Sequence, residues 1–385
     1  MEVNKKQVCA ILFIIIPSSK FLVLPTLYAA YAKQDAWFAG LINLLLDGIL
    51  VLVSVAFINR YEGQTFFEVL ENTFNKKTAR VIYFIYGIYF MLKCVVPVFE
   101  QKNYTEIVLY ETSPTVFTFL PFFLVSAYMC VHGLRPMART AEIVAWFTAI
   151  GLLLVTFLSV SSVDFFYLQP FLKNSILQTL NANYKALVWY GQPLVLLFMA
   201  GKIKKEKHFN LAVGLTFAVT SLLVILLFAF FTGIYGDIAV RQLYALSKMT
   251  KYSIALNNVG RFDYIATLML VMSGVLSLSV PLVFSTICLR ESFGIGKSLV
   301  YALIINGLVA VALSVFGLYF NKTVEIFENY FSPVMILLAY VFPLLMLIIG
   351  KNPTVKKNGL LNDKGYTAMV SSHKKAALAR DKGDL

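Results

Sequence analysis

Long apolar stretches follow one another along almost the whole of this 385-residue chain. A helix needs about 20 mostly apolar residues to cross the hydrocarbon core of a bilayer. Only 14% of the residues are charged and 59% are hydrophobic, which is too few polar residues to coat a soluble globule. Because lipid cannot satisfy free backbone polar groups, each crossing must be helical. The sequence therefore predicts an all-α polytopic membrane protein with about ten transmembrane helices.

The distribution of Lys and Arg predicts how the helices are oriented. The apolar segments are 8–32, 36–58, 79–110, 115–132, 140–160, 184–200, 209–235, 263–288, 298–320 and 331–349. Most Lys and Arg fall in alternate connections and in residues 351–385. Cytoplasmic loops carry such an excess, so we expect both termini to face the cytoplasm. The domain prediction is one transmembrane domain, 1–350, and a basic cytoplasmic tail, 351–385, with a short surface helix at 65–74.

Two of the apolar segments contain a helix break. The first is interrupted at 17–20 (PSSK) and the sixth, five segments later, at 190–193 (YGQP). Breaks at matching positions of two halves predict a five-plus-five inverted repeat, with repeats at about 8–160 and 176–350, and a ligand site at the broken helices. The alternative is an ordinary proline kink in each helix.

Lys20 lies in the first break, near the expected centre of the membrane. A lysine there is costly unless it is paired or faces a wet cavity. Its amine has three functional interpretations: it fills the space of a sodium ion, it carries a proton, or it binds a ligand carboxylate. The structural alternative is that the break lies shallower and Lys20 extends its amine to the interface.

Acidic residues inside the apolar segments are the other candidates for function. Lys93 and Glu100 are seven residues apart and share a helix face with Tyr104. Glu100 therefore pairs with Lys93 as a structural ion pair, with Lys20, or with a ligand amine. Asp47 is the lone acid of the second segment and has no evident partner in the sequence.

Two groups of polar or aromatic residues have both a functional and a structural interpretation. Ser277, with Ser273 and Ser279, either contacts a ligand or eases helix packing. Trp189 and Tyr190 beside the sixth-segment break form either an apolar wall of the site or an interfacial anchor.

Other classes of function find little support. The net charge of +13 is spread over short loops, as in membrane proteins, and does not indicate a nucleic-acid partner. The four cysteines lie in or beside apolar segments as inert thiols, and the three histidines have no metal-ligand spacing. No phosphate loop, metalloprotease motif or nucleophile elbow is present. We therefore expect no enzyme activity, cofactor or metal.

An ordered set of short motifs gives a family resemblance. The motifs are 21–25 (FLVLP), 34–37 (QDAW), 99–100 (FE) with 106–108 (EIV) and 112–114 (TSP), 133–134 (GL) with 138–142 (ARTAE), and 261–263 (RFD). In this order they resemble the B-subunit of spore germination receptors, the endospore germination permease family. That family is part of the amino acid–polyamine–organocation (APC) transporter superfamily, so the resemblance implies a LeuT-like fold.

The resemblance implies a sensor more than a pump. Its members bind small germinants, often amino acids, between the broken helices and work beside an A-subunit and a lipoprotein C-subunit in the spore inner membrane. Break residues and resemblance together give the candidate ligand residues Pro17, Ser18, Ser19, Lys20, Glu100, Tyr104, Trp189, Tyr190, Gly191, Gln192 and Ser277. In one departure, Ser18 and Lys20 stand where the family has glycines, so the ligand differs, the lysine contributes directly, or the pocket is degenerate.

The favoured function is thus a germinant-sensing subunit in an integral-membrane receptor. The first alternative is a secondary amino-acid or amine transporter, with Lys20 as a proton-linked group. The second is a structural scaffold that binds no ligand.

Overall fold

Helices account for nearly all of the described chain. The computed structural model describes residues 3–108, 115–169, 175–251, 263–294, 296–316 and 319–351. The first helices are α1 (Lys5–Ser18), α2 (Leu24–Ala32), α3 (Ala36–Arg60), α4 (Phe66–Thr73), α5 (Lys76–Val108), α6 (Thr115–His132), α7 (Leu134–Val160) and α8 (Ile176–Ala186). They are followed by α9 (Val195–Met199), α10 (Phe209–Tyr235), α11 (Ala245–Lys251), α12 (Asp263–Phe293), α13 (Ser298–Phe316), α14 (Phe320–Ile326), α15 (Ser332–Met335) and α16 (Phe342–Ile349).

Within the described ranges, seven helical stretches are long and apolar enough to cross a membrane. They are Leu24–Arg60, Lys76–Ile107, Leu134–Val160, Phe209–Arg241, Ala266–Phe293, Ser298–Phe316 and Asn321–Ile349, and the shorter apolar stretch Phe119–His132 lies in α6. The first and sixth predicted segments are divided into short helices: α1 and the helices α8 and α9 fall below that length, and α2 is counted with α3 in Leu24–Arg60. The predicted all-α polytopic fold is confirmed, with breaks in the first and sixth segments.

Several helices extend beyond their apolar runs. α7 begins at Leu134 where residue 140 was predicted, α8 begins at Ile176 where residue 184 was predicted, and α12 continues past residue 288 to Phe293. Hydrophobicity marks the span, whereas capping and turn residues mark the helix end. Gly133, with a φ of 76°, separates α6 from α7 and fixes that boundary.

The predicted helix at 65–74 is present as α4 (Phe66–Thr73). Thr65 accepts a hydrogen bond from the Glu68 amide, and the Glu68 side chain accepts one from Thr65, which is a capping box. Its apolar face is turned into the protein, because the ring of Phe66 contacts Tyr86 and Phe198. α4 therefore covers the end of α5 and α9.

The last transmembrane segment contains two π-helical stretches, Phe327–Phe331 and Ile336–Val341. Each stands just before a proline, Pro333 or Pro343. A proline lacks the amide hydrogen and its ring clashes with the carbonyl four residues earlier, so a wider turn accommodates it. The segment crosses without a break but changes its helical register twice.

The first break lies at the centre of the bundle. α1 packs against α7, α10 and α12, and α5 packs along α12. Nearly every residue of the second half of α1 is buried. The break that follows α1 is consequently surrounded by protein.

Some predictions lie outside the described residues. These are the tail beyond residue 351, the motif at 112–114 and most of the motif at 261–263. Of the predicted external stretch 236–262, the structure describes a 3-10 helix, Gly236–Arg241, and α11.

Candidate ligand site between the broken helices

The first break lies slightly later in the chain than predicted. α1 continues through Pro17 and Ser18, so the non-helical residues are 19–23. The Lys20 amide bonds the Pro17 carbonyl in a tight turn, and Pro25 is the second residue of α2, a first-turn position that suits its fixed φ. Because Pro17 and Ser18 belong to the last turn of α1, they lie beside the break and not in it. The Ser18 hydroxyl is used internally, donating to the Ile14 carbonyl at 2.5 Å.

The second break agrees with the predicted position. α8 passes into a 3-10 helix, Leu187–Trp189, after which Tyr190 is extended and Gly191 is left-handed with a φ of 80°. A second 3-10 helix, Gln192–Leu194, then leads into α9. A side chain at Gly191 would be strained by that φ and would approach Met335 to 3.0 Å.

Hydrogen bonds join the two breaks directly. The Gln192 amide nitrogen donates to the Ser19 hydroxyl and to the Trp189 carbonyl, both at 2.6 Å. The Gln192 amide oxygen accepts from Lys20 Nζ at 3.0 Å. The two unwound segments therefore form a single polar cluster.

Lys20 is fully buried in this cluster. Its Nζ donates to the Ile16 carbonyl at 2.8 Å and lies 3.8 Å from Asp47 Oδ2. It also lies 4.6 Å from the centre of the Tyr190 ring. The interpretation of a lysine reaching the membrane interface is therefore wrong, since none of its side chain is exposed.

Asp47 is the carboxylate that connects three segments. Its Oδ1 accepts from the Gly191 amide at 2.7 Å and from the Tyr340 hydroxyl at 2.8 Å. Lys20 Nζ is the nearest cation to its other oxygen, Oδ2. Asp47 therefore has partners, although none was evident from the sequence. These partners come from segments far away in the chain, which is why inspection of the second segment did not reveal them.

Lys93 and Glu100 do not pair with each other. Lys93 donates to the carbonyls of Val188, at 2.5 Å, and Tyr190. These carbonyls are freed from helical bonding by the break, and an ammonium group satisfies them. The structural ion pair predicted for Glu100 is thus wrong, and Lys93 is a residue of the site that the sequence had assigned only to that pair.

Glu100 contacts Trp189 instead. Its Oε1 accepts from the indole nitrogen at 2.7 Å, and its buried Oε2 has no hydrogen-bond partner among the described residues.

Trp189 and Tyr190 are fully buried. Neither aromatic residue is therefore an interfacial anchor. Tyr190 is held by the Tyr28 hydroxyl at 3.0 Å, which Asn43 in turn contacts, and neither Tyr28 nor Asn43 had been singled out.

A small cavity lies beside the cluster. Its volume is about 20 Å³, and its lining includes Lys93, Gly191, Gln192 and Ser277. Ser277 is thus the serine of α12 that faces the site. Ser273 and Ser279 bond carbonyls of their own helix, in agreement with a packing role.

Tyr104 is fully buried in α5, about one turn beyond Glu100 and beside α11, whose Ala245 and Leu246 amides bond carbonyls of the first break. Its hydroxyl bonds Thr267 at 2.9 Å, and its ring contacts Tyr244 near α11. In the part of the chain that the structure describes, no group of His, Cys, Asp and Glu side chains could hold a metal ion.

Comparison with a solved structure identifies the fold. The chain resembles a Na⁺-coupled sialic acid symporter in a substrate-bound outward-open state, with a TM-score of 0.59 and 12% identity over 88% of this chain and 79% of that one. At this identity the likeness concerns the fold, which is that of LeuT-like transporters.

Comparisons of sequence identify the family. The chain is 25% identical over 201 residues to the spore germination protein YndE of Bacillus subtilis (strain 168). This match covers 50% of the chain and 53% of YndE, so it spans about half the length of each. The family described as "Spore germination protein" matches residues 2–323, which is most of the chain. The protein is therefore an integral membrane member of the spore germination protein family.

Proposed function

We propose that this chain is the germinant-sensing membrane subunit of a spore germination receptor and binds an amino acid or similar small molecule between its broken helices. The observation that carries the proposal is the hydrogen-bonded cluster that joins the buried Ser19 and Lys20 to the half-buried Gln192 across the two breaks. In folds of this kind, broken helices form the ligand site near the midplane. A ligand carboxylate and polar side chain can replace these bonds one for one.

The size of the cavity supports sensing. At about 20 Å³ it has room for little more than a water molecule. An amino acid therefore enters only if the two broken segments move apart. A ligand that binds only the separated arrangement shifts the population toward it, and partner subunits can respond to that shift.

The proposal includes partners and location. The partners are a receptor A-subunit and a lipoprotein C-subunit, and the membrane is the spore inner membrane, with both termini in the cytoplasm. The Lys and Arg distribution supports this orientation. The two repeats, at about 8–160 and 176–350, each contribute one broken helix.

Lys20→Met tests the site. If the ammonium binds the ligand carboxylate, its loss removes a charge-assisted hydrogen bond of about 1.5–3 kcal/mol, which corresponds to roughly a tenfold to hundredfold rise in the effective germinant concentration. The measurement is the half-maximal germinant concentration for spores carrying the variant, after an amino-acid panel has identified the germinant of the wild type.

Two variants control this experiment. Lys6→Met removes an exposed lysine near the start of the same helix and is expected to leave the response unchanged. Lys20→Met combined with Asp47→Asn removes both buried charges, so it avoids an unpaired carboxylate. An unchanged response from both Lys20 variants at normal membrane levels would show that Lys20 does not contact the ligand.

A secondary transporter is the second candidate, favoured by the fold shared with a Na⁺-coupled symporter. Proteoliposomes containing the purified chain separate the two functions. A sensor gives saturable binding without sustained solute flux, whereas a transporter accumulates solute when an ion gradient is applied.

We expect ligand binding to be independent of sodium. The ammonium groups of Lys20 and Lys93 lie on carboxylate and carbonyl oxygens at the breaks, the type of oxygen that coordinates Na⁺ in folds of this kind. Germinant affinity of the purified chain should therefore be equal in sodium chloride and in choline chloride of the same ionic strength. Affinity that rises with sodium would contradict this prediction and favour the transporter.

A further inference from the structure

A second, larger cavity lies at the end of the bundle where the chain begins. Its volume is about 310 Å³, and three of its lining residues, Arg135, Lys202 and Arg290, are cationic. Of the described residues that line it, none is acidic and none also lines the cavity beside the broken helices. The three cations come from different parts of the fold: Arg135 from α7, Lys202 from the loop after α9, and Arg290 from α12.

The cations of this cavity are incompletely neutralised. Arg290 donates to Ser298 and to Glu291, both at 3.0 Å. Among the described residues, neither Arg135 nor Lys202 forms a salt bridge. Burial, with the nearby guanidinium of Arg290, lowers the pKa of Lys202, and the opposing effect of the Glu291 carboxylate is smaller. An anion placed between these side chains would remove that repulsion.

The backbone adds to the positive potential. α7 begins at Leu134, and both this residue and Gly133 line the cavity. The helix has no side-chain cap at this end and no acidic residue in its first turn. The amides and the dipole of a 27-residue helix therefore face the same space as the three cations.

We propose that this cavity binds a phosphate group, carried either by an anionic lipid headgroup or free in solution. Two guanidinium groups match phosphate oxygens in bidentate geometry, and the lysine adds a point charge. Basic pockets between transmembrane helices are known to suit phosphorylated headgroups. Arg135 is exposed, so the cavity is accessible from outside the bundle.

A phosphate bound in this cavity would connect helices and loops that come from different parts of the chain. The Val3 amide bonds the Lys202 carbonyl at 2.7 Å, and the Lys204 amide bonds the Val3 carbonyl at 3.0 Å. Through these bonds the start of α1 is tied to the loop after α9. A phosphate held by Lys202, Arg135 and Arg290 links that pair to α7 and α12 and stabilises this arrangement against unfolding.

Thermal unfolding of the full-length chain, purified in neutral detergent, tests the proposal. One arm titrates inorganic phosphate against sodium chloride of equal ionic strength. The other adds phosphatidylglycerol or, in the same amount, phosphatidylcholine. We expect a saturable rise in the unfolding midpoint beyond that given by chloride or by phosphatidylcholine. Arg135→Gln with Lys202→Gln should raise the apparent dissociation constant by about tenfold or more.

The matched control is Lys204→Gln, which removes an exposed lysine from the same loop but not from the cavity. Arg135→Gln alone is the second variant, because this exposed side chain can be replaced without disturbing the core. A site-dependent rise with phosphatidylglycerol only identifies a lipid headgroup as the source, and one with inorganic phosphate only identifies free phosphate. No rise in either arm, or an equal rise in the Arg135→Gln/Lys202→Gln variant, overturns the proposal.

Discussion

Asp47→Asn is expected to lower the stability of the protein by about 3–5 kcal/mol, because it leaves a buried ammonium group without its carboxylate. Lys20 lies 3.8 Å from Asp47, and neither side chain is exposed to solvent. An asparagine has nearly the same shape and still accepts from Gly191 and Tyr340, so the change isolates the charge. The measurement is the midpoint of thermal unfolding of the detergent-purified protein.

Two variants make this result specific. Asp237→Asn removes an exposed acid of the Gly236–Arg241 helix and is expected to leave the midpoint unchanged. Lys20→Met added to Asp47→Asn should recover part of the loss, because no uncompensated charge then remains at this pair. If Asp47→Asn unfolded at the same temperature as Asp237→Asn, the pair would have no role in stability.

Gly201→Ala is expected to have the second large effect on stability. A Cβ at this position would lie 2.6 Å from the carbonyl carbon of Gln64 and from the Thr65 amide nitrogen. Both are backbone atoms just before α4, so neither can move away by a side-chain rotation. Gly201 also has a φ of 74°. We expect about 1–2 kcal/mol from the left-handed backbone and about 1–3 kcal/mol more from the collision.

Gly63 provides the matched control for the collision. Its φ is 75°, and no atom of the described residues lies within 4 Å of a Cβ built on it. Gly63→Ala should therefore show the backbone cost alone, and the difference between the two unfolding midpoints measures the close approach. Equal midpoints would mean that α4 moves away from Gly201 without cost.

The breaks could be predicted because the residues that cause them lie within the broken segments themselves. Gly191 supplies the left-handed turn, and Pro25 lies in the first turn of the helix after the first break. Such residues act on their own segment, so a pattern within 10 residues is enough to find them. The same reasoning placed the first break a few residues early, because Pro17 is tolerated in the last turn of α1 and does not end it.

The charge pairing could not be predicted, because it depends on distant contacts. Asp47 is 144 residues from Gly191 and 293 from Tyr340. Helical spacing suggested Lys93 as the partner of Glu100, since both lie in one helix. The break in the sixth segment leaves the carbonyls of Val188 and Tyr190 without helical partners. These carbonyls accept hydrogen bonds from the Lys93 ammonium, which is therefore not paired with Glu100. Only the packing of the segments decides such a competition.

The internal hydrogen bonds of the breaks also raise the ligand concentration that binding between the breaks would require. Lys20 and Gln192 already occupy the donors and acceptors that a ligand would use. A ligand must therefore compete with the protein's own side chains, and its apparent dissociation constant is the intrinsic value divided by the fraction of molecules with open breaks. Under the proposed sensing function, a low ligand concentration leaves the chain in its self-bonded form, and only a concentration near this raised dissociation constant displaces the internal bonds.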